Sequence, residues 1–410
     1  MGQDFFPLDE ELKLVPGGLT PMVQESMVRM GAWIPFKASV GLLKDLLRIE
    51  ISVSEERRVT EAAGKAYVEV QRQEVERIEK EAPQSPQGVR KGMLSTDGAF
   101  VPLRHGEWAE VKSMVIGEVQ PAVEEKGEQV VHTRDLSYFS RLATAEEFER
   151  LSLVEVYRRG IEHCQELAAV MDGADWEQGF VDYHYPQAVR ILDFPHAAQR
   201  VGEIGEVVWG EKQSEKQQWV TQRLHQLKHE GPTNLLAEIH ALHNQHANSE
   251  VLLTDLNYLE KRQSQMQYPL FQAQGWPIGS GSVESGNKLV VEARLKGAGM
   301  HWERQNVNPM LALRNIVCSD RWKTDWPLIT QQLRRPAQPK QCRQKLPLAS
   351  PSIPSLPQVA SPQPLPSPSL STPAPDTQNS SPPKKPAPNH PWRHSPIGKA
   401  RFLPADNAKS

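Results

Sequence analysis

Residues 167–176 read Leu-Ala-Ala-Val-Met-Asp-Gly-Ala-Asp-Trp. The apolar run from Leu167 to Met171 is too short for a helix and predicts a buried strand. Asp172-Gly173 ends that strand, and a helix begins near Trp176. An acid at the carboxyl end of a buried strand that runs into a helix points to an α/β fold.

Elements outward from this stretch follow the same logic. Thr144-Ala-Glu-Glu is a capping signal that opens a helix over residues 144–166, with Phe148, Leu151, Leu153, Val154 and Tyr157 as its apolar side. Upstream, Met93 to Val101, Trp108 to Val119 and Gln129 to Thr133 alternate as strands, broken by turns at Arg104-His105-Gly106 and at Glu124 to Gly127. Downstream, Ala188 to Leu192 is another short strand, and residues 197–270 are polar, helical and rich in Gln, His and Glu. Three successive strands, a helix, then strand and helix in alternation is the element order of an RNase H-like domain. We expect a mixed sheet over residues 89–330, with a helical insertion at about 197–270 and a closing helix after it.

Residues 19–81 read as three helices. Pro21 and Pro35 suit first helical turns, Ala38, Val40, Leu42, Leu43, Leu46 and Leu47 form an apolar side, and Ser52 or Ser54 caps a long charged helix that runs to Glu81. A short helix, a turn around Ile51 and a capped second helix outline a helix-turn-helix, with Glu55, Arg57, Arg58 and Thr60 near the start of the recognition helix. Three helices that merely pack together would leave the same trace. Residues 82–92 form a linker and residues 1–18 a flexible start. More than half of the chain's 34 prolines fall beyond residue 335, so residues 336–410 read as a disordered Pro/Ser-rich tail.

Bulk composition narrows the classes. With 38% hydrophobic residues in 410, the chain can bury a sizeable core, and it has no run of about eighteen apolar residues and no basic-apolar leader, which places it in the cytoplasm without a membrane partner. Cys164, Cys318 and Cys342 are too few and too widely spaced for a disulfide framework or a cysteine zinc site. The net charge of −3 does not exclude DNA, because positive residues outnumber acids locally after residue 284.

Three carboxylates sit where this element order would unite them: Asp97 in Ser-Thr-Asp-Gly-Ala-Phe-Val on the first strand, Asp172 at the end of the fourth, and Glu284 in Gly-Ser-Gly-Ser-Val-Glu-Ser-Gly-Asn at the start of the last helix. Their mutual repulsion is relieved by divalent cations, and oxygen-only donors favour Mg2+ or Mn2+ over zinc. Two such ions about 3.5–4 Å apart can stabilise the attacking and leaving oxygens of a phosphodiester displacement. Gly98 and Gly173, directly after each aspartate, are expected to keep the backbone clear for metal or phosphate. Any one Asp-Gly alone is more often a plain turn.

Taken together, Ser95-Thr-Asp-Gly-Ala-Phe-Val, Asp172-Gly-Ala-Asp-Trp, Ile191-Leu-Asp-Phe-Pro-His, Gly279-Ser-Gly-Ser-Val-Glu-Ser-Gly-Asn-Lys and Arg294-Leu-Lys-Gly-Ala-Gly-Met-His-Trp resemble bacterial insertion-sequence transposases of the ISKra family over roughly residues 25–325. The resemblance implies a catalytic triad of Asp97, Asp172 and Glu284. It also implies an Asp-x-x-His element, Asp193 and His196, that related transposases carry about twenty residues after the second aspartate. Asp193 also ends a short strand and is the rival to Asp172. Pro195 departs from the family, which more usually has an aromatic residue there, and His196 has an alternative role as a capping or core histidine. Lys288, Arg294, Lys296, His301 and Trp302 read as DNA contacts beside the triad, with Trp302 stacking on a base; a solvated helix with one buried tryptophan is the plainer reading.

The histidines at 225, 229, 240, 243 and 246 lack an acidic or cysteine partner at fixed spacing and read as a solvated helix. The expected activity is magnesium-dependent cleavage of DNA at an element's ends, then attack of the freed 3′-hydroxyl on target DNA. The resemblance implies a homo-oligomer that brings two ends together. A nuclease without strand transfer, or a silent DNA-binding relative, are the alternatives.

Overall fold

The computed structural model describes residues 19–125, 128–246 and 249–335. The flexible start and the Pro/Ser-rich tail expected at residues 1–18 and 336–410 lie outside the described residues. Five strands form one sheet: β1 (Lys91–Pro102), β2 (Trp108–Val119), β5 (Thr133–Arg141), β6 (Glu166–Met171) and β7 (Val189–Leu192). A small separate ribbon pairs β3 (Val123–Glu125) with β4 (Glu128–Val130). The order across the main sheet is β5-β2-β1-β6-β7, with β1, β2 and β5 antiparallel and β1, β6 and β7 parallel. The fold is thus mixed α/β.

Strand periodicity divides the core. Odd-numbered Met93 and even-numbered Ala168 and Val170 point to one face, whereas Leu94, Ala169 and Met171 point to the other. Because β6 is buried on both faces, its sequence is continuously apolar rather than alternating. Helices α4 (Ala145–Arg158) and α5 (Asp175–His184) cover the second face through Phe148, Val154, Phe180 and Val181. Thr144 caps α4, its hydroxyl accepting from Glu147 N.

The first face is covered by two groups of helices. Over β6 and β7 lie α6 (Phe194–Trp209), α7 (Gln213–Glu230), α8 (Pro232–Gln245), α9 (Glu250–Lys261) and α10 (Tyr268–Ala273), which fill the expected insertion and contribute Val201, Ile204, Leu235, Ile239 and Leu256 to the core. Over β1 and β2 lies α11 (Gly281–Gly286), which runs through a π-helical stretch (Asn287–Glu292) into α12 (Ala293–Leu295). Val283, Val290, Val291 and Leu295 from this composite helix meet Ala99, Val101 and Val111.

Three N-terminal helices occur as expected: α1 (Pro21–Trp33), α2 (Phe36–Leu47) and α3 (Val53–Glu81). Ser52 caps α3, accepting from Glu55 N at 3.0 Å, an interaction worth about 1 kcal/mol. These helices do not form a core of their own. Met27, Val28, Leu43, Val59, Ala63 and Tyr67 pack with Leu313, Ile316, Trp322 and Trp326 of α13 (Arg304–Cys318) and α14 (Trp322–Arg334). The third strand also differs from the expectation: Gln129 falls in the ribbon, and the paired strand is Thr133–Arg141. Its inner half buries Ser137, Ser140 and Arg141, so polar residues stand where a buried strand should read apolar. Among the described residues no helix is long and apolar enough to cross a membrane.

Candidate active site

Sheet register brings three aspartates into one row. Ser95 pairs with Val170 across β1 and β6, so Asp97 and Asp172 each lie two residues further along parallel chains. Met171 pairs with Leu192, so Asp172 and Asp193 each follow directly on paired residues. Asp172 and Asp193 follow the carboxyl ends of β6 and β7, where ligands bind in open α/β sheets because the chain turns away and leaves a crevice, while Asp97 lies within β1 beside them.

Each aspartate is held differently. Asp97 Oδ1 accepts from its neighbour Gly98 N at 2.7 Å, and Oδ2 accepts from Asn287 Nδ2 at 2.8 Å. Burial, and then the charge of Asp172, push the Asp97 carboxyl up to about 6 despite these donors. Asp172 is half-buried and its Oδ1 accepts from Ala174 N at 2.7 Å. Asp193 is fully enclosed. It caps α6, its Oδ2 accepting from His196 N at 3.2 Å and meeting His196 Nδ1 at 2.6 Å, while Oδ1 accepts from Ser280 N at 2.5 Å. The hydrogen bond to Asp193 comes first among the causes that raise His196, and Asp172 and Asp97 add to it. His196 is therefore both a first-turn residue of a capped helix and a partner of Asp193 whose charged form the nearby carboxylates favour. Pro195 does no harm in that turn, since the first positions of a helix need no donor.

Glu177, unremarked in the sequence, is a fourth acid at the same place. It is fully buried on α5, accepting from Thr96 Oγ1 and from Gly173 N, each at 3.1 Å. Burial, then its hydrogen bond to Asp172, raise its carboxyl well above the usual carboxylate range. The available signal was a charged residue on the side of α5 that carries Phe180 and Val181.

The loop after β6 is clamped from the insertion. The Tyr258 hydroxyl donates to the Asp172 carbonyl, and Arg262 donates to the Gly173 carbonyl through Nε at 2.7 Å and again through Nη2. Arg262 stacks on Tyr258, 4.0 Å from its ring centre. Gly173 has φ +86°, and a Cβ there would stand 2.4 Å from Arg262 Nε. The left-handed φ and the packing of Arg262 both call for glycine here. At Gly98 the nearest atom to an added Cβ is Glu110 Oε1. Asp175, at the start of α5, is exposed and pairs with Lys261 at 2.6 Å.

Glu284 is half-buried on α11. Asn287, one turn later and on the same side of the helix, touches Asp97. Among the described residues no three His, Cys, Asp or Glu side chains are gathered closely enough to hold a metal ion by themselves. Asp97 and Asp172 are close enough for one charge to act on the other. A magnesium ion needs fewer protein ligands than three, because it keeps several waters and takes one or two carboxylates with substrate oxygens. Two aspartates plus the buried, unpartnered Asn287 Oδ1 are a donor set that fits it.

The residues expected to meet DNA divide sharply. Arg57, Arg58, Lys288, Lys296 and His301 are exposed, with Arg58 folded onto Glu55 and Lys296 onto Glu292. Arg294 and Trp302 are not available. Arg294 is 1% exposed and donates to Gly31 O at 2.9 Å, and Trp302 is 7% exposed with its indole N–H on Leu295 O. They pack on each other and build the core because Arg294 lies on the same buried side as Val290, Val291 and Leu295. Thr60, near the start of the expected recognition helix, is also buried. The histidines of the insertion form no metal cluster among the described residues; His240 pairs with Glu260. No protein-family model matches the chain, and no curated protein matches it.

Proposed function

We propose that the chain is a transposase of the Asp-Asp-Glu kind with an RNase H-like catalytic domain, acting on DNA phosphodiesters with Mg2+ or Mn2+. The observation that carries this reading is the register that sets Asp97, in the middle of β1, beside Asp172, the residue that follows the end of β6. Renumbered without the small ribbon, the strand order 3-2-1-4-5 supports the RNase H-like assignment.

Magnesium bound there would supply Lewis-acid stabilisation of the attacking and leaving oxygens. The protein's own share is positioning. Asp97 is aimed by Gly98 N and Asn287, and Asp172 by Ala174 N and the Tyr258–Arg262 clamp on its loop. His196 binds Asp193 through Nδ1, which leaves Nε2 for a non-bridging phosphate oxygen. Glu284 would be the third carboxylate, from the helix side. Exposed Lys288, Lys296 and His301 would contact the DNA backbone, Arg57 and Arg58 would act on a helix-turn-helix formed by α2 and α3, and two copies would pair the two DNA ends.

The test is a strand-transfer assay on DNA that flanks the coding sequence, with Asp97→Ala, Asp172→Ala, Asp193→Ala and Glu284→Ala. Joined products that need magnesium, and vanish in Asp97→Ala, Asp172→Ala and Glu284→Ala, are expected. Cleavage without joining would reduce the reading to a nuclease, and activity surviving in Asp172→Ala but not Asp193→Ala would transfer the role to Asp193.

A further inference from the structure

The helix that faces Asp97 is irregular at one place. Asn287–Glu292 is π-helical, a conformation rare enough that its occurrence often marks a functional site. A π turn shifts carbonyls out of the ordinary ladder, and here Arg314 takes them: its Nε donates to Val290 O at 3.2 Å and its Nη2 to Leu289 O, while Nη1 reaches Ala32 O at 3.1 Å. Arg314 is 1% exposed and none of these partners is a carboxylate. Burying a guanidinium against neutral carbonyls is costly, so the sequence maintains the π turn at some expense.

That turn governs where Asn287 points. Removing the extra residue would rotate the part of the helix before it by about 100° relative to the part after it, carrying Asn287 away from Asp97 while Val290 and Val291 stay in the core. As it stands, Asn287 is 6% exposed and gives Asp97 one amide hydrogen. A carboxylate only accepts, so the amide nitrogen must face Asp97 and the amide oxygen must face elsewhere. That oxygen has no partner. A buried amide oxygen without a donor is costly, and it lies on a side chain already touching a carboxylate proposed to bind a cation.

Resting on the reading of this site as a divalent-cation centre, we infer that Asn287 is itself a cation ligand: Oδ1 binds the ion that Asp97 binds, Nδ2 fixes Asp97, and the Arg314-supported π turn sets both. Asn287 lies one turn beyond Glu284, so the helix would deliver its oxygen donors from positions 284 and 287 on one side.

The test compares Mn2+ and Cd2+ binding to the full chain, without DNA, for wild type, Asp97→Asn, Asn287→Leu and Asn287→Cys. Leucine keeps the volume and removes the donor; Mn2+ binding should weaken at least ten-fold. Cysteine replaces a hard donor with a soft one, so the preference for Cd2+ over Mn2+ should rise at least ten-fold over wild type, a change that a residue acting only through packing would not produce. An unchanged Cd2+/Mn2+ preference in Asn287→Cys, with Asp97→Asn still weakening Mn2+, overturns the role of Asn287 alone. Wild type that binds no Mn2+, or binds it no better than Asp97→Asn, overturns the cation reading of the site and this inference with it.

Discussion

The two sides of the site are built by different means. On the strand side, Asp97 and Asp172 are set by ladder hydrogen bonds between β1 and β6, so their spacing follows from register and needs little help. On the helix side, Glu284 and Asn287 ride on a helix whose irregular turn depends on buried Arg314 and whose end is pinned by Arg294 to Gly31 O. Paired acids can therefore be placed cheaply by a sheet, while a helix facing them has to be held by long-range contacts from α1 and α13. Local changes on the strand side should affect chemistry with little loss of stability, and changes on the helix side should affect both.

A related contrast lies between neighbouring aspartates, one at a strand end and one that also caps a helix. Asp172→Asn should lower DNA cleavage by about a thousand-fold, the scale of losing one preorganised electrostatic group, and leave urea unfolding near wild type. Asp193→Ala removes the cap of α6 and orphans His196 and Ser280 N, and should destabilise the fold by about 3 kcal/mol. Equal unfolding midpoints for the two variants would break the comparison.

Gly173→Ala tests the clamp that the insertion places on the strand side. A left-handed φ and the approach of Arg262 should together cost about 3 kcal/mol, and adding Arg262→Ala should recover only the steric part. Arg314→Met is the matching change in the helix. Methionine removes a buried charge but strands three carbonyls, so we expect a loss of about 2 kcal/mol and a fall in Mg2+-dependent cleavage with it.

A smaller effect concerns Glu56, fully buried behind α1, where burial pushes its carboxyl up to about 7 although Ser39 donates to it at 2.6 Å. The folded state then holds a proton that the unfolded state releases from about pH 4.5 upward, so stability falls as pH rises toward 7. Glu56→Gln should flatten that part of the pH–stability curve, by on the order of 1–2 kcal/mol. A curve of unchanged slope would show that Glu56 does not carry it.

Legibility in the sequence followed the same division. β1, β2, β6 and β7 were readable from apolar runs and alternation, and with them the placement of Asp97 and Asp172. β5 was displaced because Ser137, Ser140 and Arg141 are buried polar residues in a strand. On the helix side, composition showed positive charge after residue 284 but not which way it faces: Lys288 and Lys296 point to solvent, whereas Arg294 joins Phe36 and Trp302 in the core. Tyr258 and Arg262 were invisible because they reach Asp172 and Gly173 across some ninety positions of chain, a contact that no local pattern encodes.

In the proposed site Asp97 and Asp172 share one divalent cation. Anomalous scattering from crystals soaked in Mn2+ tests this directly: a peak bonded to a carboxylate oxygen from each is expected. Ordered carboxylates with no peak between them, or a Mn2+ peak bound by Asp193 in place of Asp172, would contradict it.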